Sequence, residues 1–305
     1  MKTLIAIDGS PEAAAALQTA IRLLRKENNE VHILCVAPEF SGLTSGGDLG
    51  ATRELVRSAY RRRIITETES ILENAKQMLA TAGIKASTAT EFGSPEKTIL
   101  RVGAESDLTV VGATGKRDRS KLGIGPVASR VVEHGTGTIL VGRELASGSN
   151  WRALVAVDGS DSSKQALQAM TKYFNAASLE VTVMHVVETP WVHFGLDQKA
   201  FDYPGDVFDE VDPEIQLELG MEREADKIVA DAEEQLDGYV LGLNTIIREG
   251  NPGTEIVGEA EAGGYDLILL GAAGGSDLKH QMLGSVSAKV AAQAPCSVAV
   301  VRFEE

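Results

Sequence analysis

The chain repeats itself. KTLIAIDGSPEAAAAL, beginning at Lys2, returns as RALVAVDGSDSSKQAL at Arg152; DLTVVGATG at Asp107 returns as DLILLGAAG at Asp266; and TGTILVGR at Thr136 returns as CSVAVVRF at Cys296. Three segments recurring in the same order, half a chain apart, mean that one plan of elements is built twice and that each copy must bury its own core. At 305 residues the length accommodates two domains. We place them at residues 1–146 and 147–305, with ELASGSN (Glu144–Asn150) as the linker between them. The second copy is longer, and the excess is expected in the Pro-, Asp- and aromatic-rich stretch that begins at Thr189.

Within each copy, short apolar runs alternate with longer segments of helical period. That alternation predicts crossover units on a parallel sheet, hence an α/β fold. Strands are expected near 2–8, 31–37, 84–91, 107–112 and 137–142, and again near 152–158, 180–187, 243–249, 265–271 and 296–302. In the first copy, helices are expected near 11–27, 51–82, 95–105 and 125–135. The continuous apolarity of LILL and SVAVV suits strands covered on both faces.

In such a sheet, ligands collect outside the carboxyl ends of the strands, where the strand order reverses. The loop after strand one reads Asp8-Gly9-Ser10 in one copy and Asp158-Gly159-Ser160 in the other. Ser10 and Ser160 suit helix caps, and each aspartate stands where it can meet a ligand's donor groups. After strand four the second copy reads GAAGGSDLKHQMLGSVS. Glycine at 271 and 274 permits positive φ and close approach by a ligand. Gly284, Ser285, Val286 and Ser287 open the next helix, whose unpaired N–H groups favour an anion, and the two hydroxyls add donors for phosphate oxygens.

Here the chain resembles the universal stress proteins, in tandem form. The spacing Gly, two residues, Gly, nine residues, Gly, Ser is met by Gly271, Gly274, Gly284 and Ser285, and the resemblance extends over IAIDGS and VAVDGS, over His185–Val187 and over Ala294–Cys296. It implies two flavodoxin-like, adenine nucleotide alpha hydrolase-like domains, each a five-stranded parallel sheet of order 3-2-1-4-5 with helices on both faces. It further implies a stress-response role with ATP bound in the second domain. There Asp158 and Val186 would lie beside the adenine, Gly271 and Gly274 would approach the ribose and phosphates, and Gly284, Ser285, Val286 and Ser287 would hold the triphosphate. Pairing through strand five, near Ile139 and Val298, is implied as well, as a homo-oligomer or an intramolecular pseudo-dimer.

The first copy keeps the glycine spacing at Gly112, Gly115 and Gly125, but Pro126 replaces Ser285 and Ala128 replaces Ser287. Both hydroxyls and one backbone N–H are lost, so this copy is expected to bind ATP poorly. Lys116, Arg117, Arg119 and Lys121 could supply charge in compensation.

Charge is uneven: residues 1–150 carry 19 basic and 17 acidic side chains, and 151–305 carry 10 and 27. The overall −15 opposes nucleic acid at long range, despite the arginines at 53, 57 and 61–63. That basic cluster reads as a solvated helix face or, alternatively, as a surface that packs against the acidic run from Asp202 to Glu218, within the chain or between copies. A triphosphate entering so acidic a half calls for a divalent ion such as Mg2+.

No run of about 18 apolar residues is present and the N-terminus has no leader pattern, so a cytoplasmic location with no membrane partner is expected. Cys35 and Cys296 read as buried thiols. The phosphate loop GxxxxGK[ST] and the fingerprint GxGxxG are both missing. The SGGD at Ser45–Asp48 follows strand two rather than strand one, which sets aside a ligase-type pyrophosphatase loop. Among the histidines only His193 and His280 are expected to be accessible enough to matter; their spacing supports no zinc site, and His280 with Lys279 could touch phosphates. With no nucleophile beside a base, dedicated catalysis is not indicated beyond slow turnover of bound ATP. The competing class is an acidic interaction or scaffold protein with a vestigial pocket.

Overall fold

The computed structural model describes residues 1–39, 50–115, 123–144, 151–188, 213–274 and 283–302. The chain divides into two compact units, residues 1–145 and 146–303.

In the first unit, β1 (Lys2–Ile7) leads into α1 (Pro11–Leu23), β2 (Glu30–Ala37), α2 (Gly50–Thr81), β3 (Ala86–Phe92), α3 (Pro95–Gly103), β4 (Leu108–Gly112), α4 (Pro126–His134) and β5 (Thr138–Gly142). Every neighbouring pair is parallel and the order is β3-β2-β1-β4-β5. β1 therefore has β2 on one side and β4 on the other, which makes its carboxyl end the switch point of the sheet. α1 packs beside α2, and α3 beside α4, forming the two helical layers.

The helices start and pack for legible reasons. Proline at the first position of α1, α3 and α4 presets the helical φ where no N–H is needed. Ser10 caps α1, its Oγ accepting from the Ala13 N–H at 3.1 Å. The buried face of α1 is Ala13, Ala16, Leu17, Ala20 and Leu23, the three- and four-residue spacing of one helical stripe. α1 ends at Leu23, short of the expected 27: Leu24 is already extended (φ −82°, ψ 149°), and the chain then turns through Asn28, whose φ is 53°. On α2 the buried positions Thr68, Leu72, Ala75 and Leu79 all fall in the C-terminal half. Arg57, Arg61, Arg62 and Arg63 are exposed in the other half, with the Arg61 guanidinium 4.9 Å from the centre of the Phe92 ring.

The second unit repeats this plan with β6 (Trp151–Ala156), α5 (Asp161–Tyr173), β7 (Leu179–Val187), α6 (Pro213–Leu236), β8 (Gly242–Glu249), α7 (Pro252–Gly263), β9 (Leu267–Gly271), α8 (Ser285–Gln293) and β10 (Ser297–Val301). A 3-10 turn at Ala176–Ser178 precedes β7 and was not expected from the sequence. β6 lies between β7 and β9, all parallel, with β8 beside β7 and β10 beside β9. β9 and β10 are buried along their length, apart from the half-buried Gly271, as their apolar runs require.

The aspartate that opens each DL segment ties strand four to strand one. The Lys2 N–H donates to Asp107 Oδ2 at 2.6 Å, and the Arg152 N–H donates to Asp266 Oδ2 at 3.0 Å. In return the Asp107 N–H reaches the Lys2 carbonyl and the Asp266 N–H the Arg152 carbonyl. The extra length of the second copy falls as expected: β7 ends at Val187 and α6 begins only at Pro213, against Ala37 and Gly50 in the first. No helix among the described residues is long and apolar enough to cross a membrane. Cys35 and Cys296 are both buried thiols.

Candidate functional site

Each unit carries a cleft at the carboxyl end of its central strand. In the second unit it has a volume of about 370 Å³, and Asp158, Val186, Gly271, Gly274, Gly284, Ser285, Val286 and Ser287 all line it. Residues up to 129 positions apart in the chain thus share one concavity, drawn from the carboxyl ends of the parallel strands β6, β7 and β9 and from the start of α8.

Asp158 is fixed by the turn that follows it. Its Oδ1 accepts from the Ser160 N–H at 3.0 Å and from the Ser160 hydroxyl, while Ser160 Oγ caps α5 by accepting from the Ser163 N–H at 3.2 Å. Gly159 stands at φ 77° and Gly9 at φ 76°, so in both copies the turn behind the aspartate requires glycine. The first copy repeats the arrangement, with the Ser10 N–H 2.9 Å from Asp8 Oδ1. The serines are caps, as expected, and they hold the aspartates in place.

The signature glycines do not use the positive φ that their residue type permits. Neither Gly271 nor Gly274 has positive φ; each is glycine because another part of the protein occupies the space of a side chain. A Cβ on Gly271 would lie 2.8 Å from the carbonyl carbon and oxygen of Ser162, at the start of α5, and one on Gly274 would lie 3.1 Å from Asp158 Oδ2. Gly112 is likewise packed against Glu12 and Ala13, and Gly115 against Asp8. The first glycine lets a helix approach the strand end. The second leaves room for the strand-one carboxylate.

α8 begins at Ser285 with Gly284 as its cap, so no side chain caps the helix. The Gly284 N–H donates to the Ala272 carbonyl at 2.7 Å, and the first intrahelical bond is from Ala288 to the Gly284 carbonyl at 2.9 Å. The N–H groups of Ser285, Val286 and Ser287 are the ones a helix start leaves without intrahelical partners, and they carry the positive end of the dipole. Ser285 is exposed and Val286 half-buried. Ser287 differs from the expected role of its hydroxyl: its side chain is buried, and its hydroxyl donates to the Gly271 carbonyl at 2.7 Å. That proton holds the strand-four loop against α8 and is not offered to a ligand.

Several lining residues escaped the sequence reading. Met221, Glu224 and Ile228 of α6 follow an i, i+3, i+7 stripe that could have been marked as one face of a helix, but nothing in it says that the face looks onto a cleft. His185, also in the lining, is oriented by a 2.8 Å contact between its Nδ1 and the Val157 carbonyl. His134 is exposed but does not line this cleft. The charged groups lining this cleft, Asp158, Glu188 and Glu224, are all acidic among the described residues. No cluster of three or more potential metal ligands occurs among the described residues. Lys116, Arg117, Arg119, Lys121, His193, Lys279, His280, Ser45–Asp48 and Asp202–Asp212 lie outside the described residues, and the side chains of Arg53, Glu214 and Glu218 are not described.

The cleft of the first unit, about 830 Å³, is lined in the same way by Asp8, Val36, Gly112, Gly115, Gly125, Pro126 and Ala128. Pro126 is the first residue of α4 and has no N–H to offer, and Ala128 has no hydroxyl to brace the Gly112 carbonyl. The first copy has kept the concavity and lost donors from it.

The model of the universal stress protein family matches residues 1–143 and again 151–302. The chain belongs to the universal stress protein family. Universal stress protein YxiE of Bacillus subtilis is 34% identical over 151 residues, half of this chain and 98% of that protein. A universal stress protein of Mycolicibacterium smegmatis is 22% identical over 98% of this chain and 96% of its own, which extends the likeness over both copies. Among solved structures, a universal stress protein from Archaeoglobus fulgidus superposes with a TM-score of 0.61 at 20% identity, covering 99% of this chain and 98% of that one. At that identity the likeness speaks for the tandem α/β fold alone.

Proposed function

We propose that the second unit binds ATP in its cleft and that occupancy biases the conformation or partner choice of a cytoplasmic stress-response protein. The observation that carries this reading is the start of α8, an uncapped helix end opening on a cleft of about 370 Å³, within the size range of small-molecule sites. In this reading the Ser285, Val286 and Ser287 N–H groups and the Ser285 hydroxyl hold the triphosphate. Asp158, fixed by its turn, accepts from donor groups of the nucleoside, and Val186 supplies an apolar wall for the base. Gly271 and Gly274 let the backbone come close to the ribose and phosphates.

The acidic lining favours a divalent ion. ATP brings about four negative charges toward Asp158, Glu188 and Glu224, and Mg2+ carried with the phosphates removes much of that repulsion. We assign binding rather than turnover to the cleft. Pairing between copies of the chain through the fifth strand belongs to the same reading.

The same carboxylates support a second reading, an acidic interaction protein whose pocket no longer takes a nucleotide. Denaturing freshly purified protein and identifying any released nucleotide by mass spectrometry, followed by calorimetric titration with Mg2+ and ATP, separates the two. ATP binding is expected in the micromolar range. An empty preparation that accepts no ATP at millimolar concentration would leave only the scaffold reading.

A further inference from the structure

The two clefts can be compared position by position, because the copies share one register. Ile7 pairs with Cys35, and the same register carries Val157 to His185. Cys35 is therefore the counterpart of His185, and Pro38 that of Glu188. With Pro126 for Ser285 and Ala128 for Ser287, four polar positions in the lining of the second unit are apolar, or a buried thiol, in the first. The stripe of Met221, Glu224 and Ile228 on α6 recurs on α2 as Ile64, Glu67 and Ile71. Thr68, Glu96 and Thr114 run the other way, standing for Ala225, Gly253 and Ala273. Two of these turn their polar groups to the protein: the Thr68 hydroxyl donates to the Ile65 carbonyl at 2.9 Å, and Glu96 accepts the Ser94 hydroxyl with Lys97 and Arg130 nearby.

What the first cleft leaves uncovered is apolar surface. It measures about 830 Å³ against about 370 Å³, and Ile64, Ile71, Val36 and Val127 in its lining are only half-buried. Its carboxylates do not call for a cation. Asp8 accepts the Ser10 N–H at 2.9 Å and, like Glu67, is already engaged within the protein; Glu39 and Glu67 are exposed to water. An anion finds a helix start that lacks the N–H of its first residue and both hydroxyls. Covering apolar wall is then the main favourable contribution left to a ligand, and it grows with the area covered. We propose that the cleft of the first unit binds an uncharged, mainly apolar small molecule, seated against Ile64, Ile71 and Val127. The duplication has thus given one chain two sites of different chemistry. The assignment does not depend on nucleotide binding in the second unit.

The test titrates the full-length chain with N-phenyl-1-naphthylamine, which is uncharged at neutral pH and emits strongly in apolar surroundings, and with its 8-sulfonate, the same frame carrying one negative charge. The uncharged probe is expected to bind at least about tenfold more tightly than the sulfonate, and raised salt should leave its affinity within about twofold. Lys116, Arg117, Arg119 and Lys121 follow Gly115 in sequence, and the sulfonate arm measures what they contribute. Ile71→Asn should weaken the uncharged probe at least about fivefold, whereas Ile228→Asn, at the matching and equally half-buried position of the second unit, should leave it unchanged. Thermal melts check that both fold. Pro38→Glu, which writes the residue of the second unit into the first away from α2, should weaken the probe by a similar factor and decides the matter should Ile71→Asn unfold. Sulfonate binding as tightly as the uncharged probe, Ile228→Asn weakening it as much as the first-unit variants do, affinity unmoved by those variants, or no binding of the uncharged probe up to its solubility limit would each overturn the proposal.

Discussion

Gly271 and Gly274 are three residues apart, and substituting them should do different things. A methyl at 271 meets the Ser162 backbone at 2.8 Å, which can yield only if α5 shifts. Gly271→Ala should therefore cost about 1–3 kcal/mol of stability, measured by urea denaturation. A methyl at 274 meets Asp158 Oδ2 at 3.1 Å, the end of a side chain. Gly274→Ala should leave the denaturation midpoint nearly unchanged and weaken ATP binding by displacing the carboxylate. Equal loss of stability in both variants would contradict this division of roles. In the first unit, Glu96 offers a titration. The Ser94 hydroxyl, its own backbone N–H, Lys97 and Arg130 hold its carboxyl below the ordinary value of 4.5 against the opposing effect of burial. A group whose folded pKa is depressed contributes stability above its unfolded pKa and loses it as the pH falls through the folded value. Ser94→Ala should raise the Glu96 pKa toward 4.5, followed by NMR titration, and reduce the fall in stability between neutral and acid pH.

The two helices that follow strand four, α4 and α8, form a natural experiment at the level of the element. They occupy the same place in the two units and begin with PVA and SVS. Their glycine caps are held alike, with the Gly125 N–H on the Ala113 carbonyl at 2.6 Å and the Gly284 N–H on the Ala272 carbonyl at 2.7 Å. Writing the first start into the second, as Ser285→Pro with Ser287→Ala, removes one N–H and two hydroxyls. Each hydrogen bond lost to a charged group is worth about 1.5–3 kcal/mol, so ATP affinity at the second unit should fall tenfold or more by calorimetry. Part of the effect comes through the strand-four loop, which loses the bond from Ser287 to Gly271. The helix itself should persist, because proline is compatible with its first position. Unchanged affinity would move the phosphate site away from α8.

At the scale of the whole molecule, each copy builds its own five parallel strands, its own helical layers and its own cleft. Fragments 1–146 and 147–305 should therefore both fold cooperatively. ATP at about a hundredfold excess over Kd should stabilise the second by about 2.7 kcal/mol, and differential scanning calorimetry should show its Tm rise while that of the first stays fixed. An equal rise in the first fragment would contradict the asymmetry between the copies.

Much of this architecture was legible in the chain. The repeat gave two copies, and the alternation of apolar runs with helical segments placed the strands to within a few residues, because burial on both faces leaves a continuous apolar signal that survives without tertiary information. The residues of the cleft were legible for a related reason: backbone turns and helix starts demand particular residue types, so Asp158, Gly271, Gly274 and Ser285 stand out locally. What the sequence could not decide was why they are there. The positive φ belongs to Gly9 and Gly159 rather than to the signature glycines, and Ser287 spends its proton on Gly271. A third such case is the α6 stripe of Met221, Glu224 and Ile228, which faces the cleft. Each of these depends on which distant segment fills the neighbouring space, a matter of three-dimensional packing that no local pattern encodes.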